Sequence, residues 1–185
     1  MSDINFSTKA GSYQDTALVQ KNASEVLLNL LAIQGHEDVL DLGCGPGNIT
    51  RKIAALTDGK VVGTDIAEGM INEAIQANNQ PTNPSYLVKD AEELGFQSEY
   101  DVIFCNSAFQ WFLNPGKVLA GCRQALKPGG RIGIQAPATN LYCPNFIEAV
   151  EKVRQNEATR EIYSHFKSPW LFLDSEEEYA KLFDK

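Results

Sequence analysis

The sequence predicts an α/β domain: a parallel sheet covered by helices on both faces. Three observations carry this. Short apolar runs alternate with amphipathic stretches from Asp38 to Ala136, the rhythm of strand–helix crossovers, which are right-handed and build parallel sheets. The first run, Val39-Leu40-Asp41-Leu42, breaks into Gly43, Gly45 and Gly47 and then into Ile49-Thr50-Arg51-Lys52-Ile53-Ala54-Ala55-Leu56, a strand, a tight turn and a helix. The fourth run, Tyr100–Cys105, is almost continuously apolar, as in a parallel strand buried on both faces.

Residues 1–14 are polar apart from anchors such as Phe6 and Tyr13. Asp15 can cap a helix running to about Ile33, with Ala17, Val19, Ala23, Val26, Leu27, Leu30 and Leu31 as its apolar face and Gly35 as its stop. This helix covers the sheet or carries Tyr13 as a lid; the residues allow both. Asp38–Leu42 is the first strand and Lys60–Asp65 the second. A helix over Ala67–Asn78 turns Met70, Ile71, Ala74, Ile75 and Ala77 inward, and the polar stretch 78–84 closes it. Ser85–Lys89 is the third strand. After the fourth strand, Asn114-Pro115-Gly116 starts a helix to about Leu126. Lys127-Pro128-Gly129-Gly130 is a sharp turn before a fifth strand, Arg131–Ala136. Beyond it come a linker, a helix over 144–166 with Phe146, Ala149, Val150 and Val153 on one side, and an acidic helix start at Glu176-Glu177-Glu178.

A chain of 185 residues with 43% hydrophobic content suits one domain with its own core. It divides into a covering segment (1–35), a core (36–137) and a C-terminal region (138–185). No apolar stretch is long enough to span a bilayer, and the chain opens on Met1-Ser2-Asp3 without the pattern of a secretory leader; a cytoplasmic protein without membrane contact is expected. The net charge of −8, with no basic patch, argues against nucleic-acid partners and suits a small-molecule enzyme. An acidic carrier protein would need a local basic patch. Cys44, Cys105, Cys122 and Cys143 form no C-x-x-C pair, and His36 and His165 stand apart, so no metal is expected.

The chemistry-bearing residues gather where strands end. Glycines at 43, 45 and 47 let backbone approach a ligand closely, and a following helix start favours a negative group. No glycine sits where a dinucleotide fingerprint has its third. Asp65 ends the second strand about twenty residues on, where a carboxylate can take a ribose diol or merely cap a helix. Asp90, past the third strand, can accept from an exocyclic amine such as that of adenine, or cap the next turn. Asn106-Ser107-Ala108-Phe109-Gln110-Trp111-Phe112 follows the fourth strand and faces the ligand crevice of an open parallel sheet. Phe109, Gln110 and Trp111 are candidates for substrate contact, with core packing as the alternative for the aromatics.

Asp41-Leu42-Gly43-Cys44-Gly45-Pro46-Gly47, Asp65, Asp90-Ala91, Asn106 to Trp111 and Leu126-Lys127-Pro128-Gly129-Gly130 together resemble class I S-adenosylmethionine-dependent methyltransferases over about residues 36–137. The resemblance implies a doubly wound, mostly parallel Rossmann-like sheet and S-adenosylmethionine as methyl donor. It implies that the loop Gly43, Cys44, Gly45 and Gly47 lies against the methionine part and ribose. Asp41 then sits near the donor's amino group and Asp65 takes the ribose hydroxyls. Asp90 takes the adenine amine, the Ala91 amide a ring nitrogen, Ile66 an adenine face, and Asn106 the methionyl end. Phe6-Ser7, Ala10, Ser12-Tyr13 and Ala17-Leu18-Val19-Gln20, with residues 106–112, are similar to malonyl-acyl-carrier-protein O-methyltransferases. The 106–112 stretch is also similar to trans-aconitate methyltransferases. Both groups esterify carboxylates, and Tyr13 and Gln20 become N-terminal candidates for donor contact. The family normally adds a two-stranded C-terminal hairpin; the sequence shows no such hairpin by Lys185, so a truncated or degenerate sheet lacking it is expected, with the acceptor pocket incomplete and, if truncated, an exposed sheet edge that favours association or instability.

A carboxylate acceptor is ionised at pH 7 and needs no general base, in keeping with the absence of an evident His or Lys base near these motifs; no catalytic residue is assigned. N- or C-methylation of another metabolite and donor binding without turnover are the alternatives. A nicotinamide-dependent oxidoreductase is disfavoured by the glycine spacing and by Asp41.

Overall fold

A computed structural model of the chain describes residues 18–79, 82–137, 144–165, 171 and 173–184. Five strands, β1 (Val39–Leu42), β2 (Val61–Asp65), β3 (Ser85–Val88), β4 (Tyr100–Asn106) and β5 (Leu126–Gln135), pair in the order β3-β2-β1-β4-β5, every pair parallel. The order reverses direction between β1 and β4, the switch point where open α/β sheets bind ligands beyond their strands' carboxyl ends.

Alternation along the central strands divides the core. Val39, Val102 and Phe104 join one cluster with Leu27 and Leu31 of α1 (Leu18–Leu31) and Ile53 of α2 (Asn48–Ala54). Leu40, Leu42, Ile103 and Cys105 join the other with Val118, Cys122 and Ala125 of α4 (Pro115–Ala125). These side chains are buried, and each valine, leucine, isoleucine or phenylalanine among them contributes roughly 1.5–3 kcal/mol when removed from water. A third, smaller cluster sets Ile71 and Ala74 of α3 (Glu68–Gln76) against Tyr86 and Cys44.

Several sequence expectations are corrected. The buried stripe of α1 is Ser24, Leu27 and Leu31, while Val26 and Leu30 face solvent at 60% and 77% exposure. The reason is Gly133 on β5: a Cβ there would stand 2.9 Å from Leu27 and Leu31, so the helix seats those two leucines in the space the glycine leaves. The helix stops at Ala32, in the left-handed region at φ 46, before Gly35. Ile75 of α3 is exposed. Residues 127–130 are absorbed into β5: Tyr100 pairs with Leu126 and Val102 with Arg131, so the strand bulges opposite Asp101. The 144–166 helix divides into α5 (Pro144–Gln155) and α6 (Arg160–Tyr163), where the Asn156 side chain accepts from the Ala158 amide at 2.9 Å. Ala149 and Val153 are exposed. The acidic turn does open a helix, α7 (Glu176–Ala180), capped by Ser175.

Among the described residues, Cys44, Cys105 and Cys122 are free and buried, no group of acids, cysteines and histidines has a metal-binding arrangement, and no helix is long and apolar enough to cross a membrane.

Candidate functional site

The site is built at the carboxyl ends of β1, β2 and β4. The Gly43 and Cys44 amides both donate to the Thr64 carbonyl, at 2.8 and 2.9 Å, tying the glycine loop to the end of β2. Gly43, Gly45 and Gly47 all adopt positive φ, at 75°, 54° and 74°. Their surroundings differ. A Cβ on Gly43 would collide with Ala108, and one on Gly47 would stand 2.6 Å from the Tyr86 hydroxyl. A Cβ on Gly45 would meet nothing within 4 Å. Two glycines are therefore required by packing, and the third borders open space where a ligand can approach backbone.

Asp65 closes the loop from β2. Its Oδ2 accepts from the Gly45 amide and its Oδ1 from the Ala67 amide, both at 2.9 Å. A carboxylate has about four acceptor positions, so further donors can be taken. Burial pushes its ionisation upward against the pull of these amide bonds.

Asp41 lies deeper, 2% exposed. The Thr50 hydroxyl of α2 donates to its Oδ2 at 2.6 Å. Burial pushes its ionisation up to about 7; the Thr50 bond opposes this, and the nearby Asp65 charge adds to it. Among the described residues no ion pair involves Asp41.

The other predicted residues fall as follows. Asp90 is exposed and caps the short 3-10 turn Ala91–Glu93, its Oδ1 accepting from the Glu92 amide at 2.8 Å; Ala91 is buried. Ile66, just past Asp65, keeps a large apolar side chain 46% exposed. Asn106 ends β4, buried. Ser107 follows with φ 55, held by the Gln135 carbonyl at 3.0 Å and by its hydroxyl donating to Gln135 Oε1 at 2.7 Å. Gly43 packs on Ala108, so the loop leaving β4 lies beside the glycine loop. Within it Phe109 is a core residue at 1% exposure, edge-on to Phe112 and tilted against Tyr179. Gln110 donates to the Ser107 carbonyl at 2.9 Å, and its Oε1 is buried without a partner among the described residues. Trp111 is half-buried. Tyr13 lies outside the described residues. Gln20 lies on α1, its side chain outside what is described.

Three supporting residues were not singled out by sequence reasoning. Thr50 holds Asp41. Tyr86 of β3 packs under Gly47 and Gly63 and its hydroxyl donates to the Gly47 carbonyl at 3.4 Å. Arg51 ties the loop from outside, donating to the Pro46 carbonyl at 3.1 Å and to Asn48 Oδ1 at 2.6 Å. Thr50 had a readable signal, a polar residue three before the apolar Ile53 on a helix face; Tyr86 and Arg51 had none.

This geometry can be set beside known proteins. Residues 39–130 match the methyltransferase domain family. The chain belongs to the S-adenosylmethionine-dependent methyltransferases. The malonyl-[acyl-carrier protein] O-methyltransferase of Acetivibrio thermocellus is 34% identical over 130 residues, covering 69% of this chain and 46% of that protein. The enzyme of the same name from Brevibacillus brevis is 36% identical over 135 residues, covering 67% and 48%. The chain thus spans about half the length of the curated relatives it matches. Among solved structures, an S-adenosylmethionine-dependent methyltransferase from Mesorhizobium loti superposes with TM-score 0.60 at 26% identity, covering 65% of this chain and 56% of that one. A methyltransferase in complex with the Trm112 activator of Haloferax volcanii gives TM-score 0.73 over 97% of this chain and 74% of that one, at 22% identity, a likeness of fold. The matched residues therefore cover β1 to β4, the start of β5 and the strand ends that carry the glycine loop.

Proposed function

We propose that this chain binds S-adenosylmethionine at the glycine loop and directs its methyl group to a carboxylate on a small or carrier-bound acid, in the cytoplasm. The observation that carries the donor reading is the open face at Gly45 beside an Asp65 with acceptor capacity left over. The same residues fit the donor's groups. The Gly43–Gly47 backbone gives room for the methionine part and ribose, and Asp65 accepts from ribose hydroxyls. Asp41 is a buried acid with no counter-charge among the described residues, suited to an ammonium group. Exposed Ile66 offers an apolar adenine face, and Asp90, with one oxygen on the Glu92 amide, keeps a second for an exocyclic amine. The family resemblance adds Tyr13, Gln20, Cys44, Ala91 and Asn106 as candidates for donor contact, and Gln110 and Trp111 for the acceptor.

When bound, the donor supplies an electrophilic methyl on sulfur. What the protein does is hold an acceptor oxygen in line, roughly 3 Å away, and exclude water. A carboxylate needs no proton removed at neutral pH; its reaction at saturating donor is therefore flat from pH 6 to 8. The carboxylate class is supported by the relatives named malonyl-[acyl-carrier protein] O-methyltransferases and by the amide-rich loop 106–112.

Calorimetric titration with S-adenosylmethionine and S-adenosylhomocysteine tests the donor reading, with micromolar binding expected. Methyl transfer to malonyl-acyl carrier protein and to a panel of free carboxylates tests the acceptor. Donor binding with no transfer to any carboxylate would sink the acceptor half alone.

A further inference from the structure

Asp41 poses a chemical problem that the fold leaves open. It is a carboxyl group buried at the end of β1, and among the described residues its side chain accepts one bond, the 2.6 Å contact from the Thr50 hydroxyl. Thr50 itself is fully buried. Among the described residues, the groups that bond to or interact electrostatically with Asp41 are Thr50 from α2, Cys44 from the glycine loop, Asp65 from β2, Tyr86 from β3 and Cys105 from β4, and none of these is a cation. Cys44, Cys105 and Tyr86 are held neutral by burial, and Asp65 repels a second negative charge. A buried anion in such surroundings is costly unless a positive group arrives.

We propose that Thr50 is a positioning residue for Asp41, and that entry of the donor's ammonium group drives a proton off this pair into solvent. The inference rests on the donor reading above and deepens it. The balance is simple: the neutral carboxylic acid and the ammonium become a carboxylate–ammonium pair, and one proton leaves to buffer. The Thr50 hydroxyl donates to the oxygen that carries the charge, lowering the cost of that anion and fixing its rotamer. With the empty-site acid titrating near 7 and the occupied one well below, donor affinity weakens as pH falls below 7, by about tenfold per unit.

The probe is S-adenosylhomocysteine, which carries the ammonium without the sulfonium. Titrations from pH 6 to 8 in phosphate and in imidazole separate binding heat from buffer protonation heat. The expected result is release of close to one proton at pH 6, about half at pH 7 and little at pH 8. In Asp41→Asn the release vanishes. Thr50→Val, checked for folding by circular dichroism and melting, moves the affinity profile to higher pH and weakens binding about three- to tenfold at pH 7; Thr50→Ser restores it. Wild-type binding that is flat with pH and releases no proton overturns the coupling, as does release that persists in Asp41→Asn. A wild-type profile in Thr50→Val overturns the role of Thr50. No binding by folded wild type at any pH overturns the donor reading itself, a result distinct from the others.

Discussion

The two ends of the sheet treat the same kind of residue in opposite ways. At the amino ends of the strands, acids are matched with bases. Lys127 bridges Asp38 and Asp101 at 2.7 Å each, Lys60 pairs with Glu99 at 2.9 Å, and Arg131 grips Glu37 at 2.6 Å. The Lys127 bonds hold Asp101 below the usual carboxylate range, and the Arg131 bond does the same for Glu37. At the carboxyl ends, Asp41 and Asp65 have, among the described residues, hydroxyl or amide partners only, and burial pushes both upward. One end is finished by the protein. The other keeps acidic acceptors with no cationic partner among the described residues, at some cost in stability.

The comparison can be broken at four places. The largest effect falls on Asp65→Ala: donor affinity drops about a hundredfold by calorimetry, as a charged hydrogen-bonding group is lost, while the circular dichroism spectrum is kept. Unchanged affinity would mean that the acid at the end of β2 serves the loop alone. Next is Asp41→Asn. Its folded-state ionisation near 7 lies above the ordinary Asp value of 3.8, so ionising it opposes folding increasingly as pH rises from 4 to 7. The substitution should therefore stabilise the protein at pH 8 by roughly 2–4 kcal/mol, and not at pH 3; chemical denaturation at the two pH values reads this.

Lys127→Met works at the finished end. It strips two carboxylates of their partner and costs about 1–2 kcal/mol at pH 7, leaving donor affinity unchanged. Because the folded-state values of Asp38 and Asp101 are lowered from 3.8, the wild-type advantage is present above pH 4 and fades as acid protonates them. The smallest stability change is expected for Gly45→Ala, about 1 kcal/mol for a left-handed alanine in open space. Its methyl group would project into the open space where the donor is proposed to bind, so affinity should fall at least tenfold. A variant that binds as wild type would move the site away from this loop.

The strand order and the acids at strand ends were legible because glycine spacing and apolar runs are local signals. The inward face of α1 was not. Two apolar stripes share that helix, and the choice between them is made by Gly133, about a hundred residues away. Of the supports of the site, Thr50 offered a polar residue on an apolar helix face, nine residues from Asp41, whereas Tyr86 reaches Gly47 across thirty-nine, a contact that exists only once β3 lies in the sheet. The break between α5 and α6 escaped because no Gly or Pro marks it; a single Asn side chain competes with the helix there.

Arg131 also says something about the order of events during synthesis. Its guanidinium donates to the Leu31 carbonyl from Nε and Nη2, at 2.9 and 2.7 Å, and so finishes the end of the helix that opens the described chain. The two residues are a hundred positions apart. On a ribosome, α1 emerges long before the strand that supplies its bed and its cap exists. A fourteen-residue helix is marginal in water by itself, so it waits, largely uncommitted, until β5 is laid down. The first helix of the described chain to be made is thus among the last to be locked, and its amides should be among the first to exchange with solvent when the native protein opens.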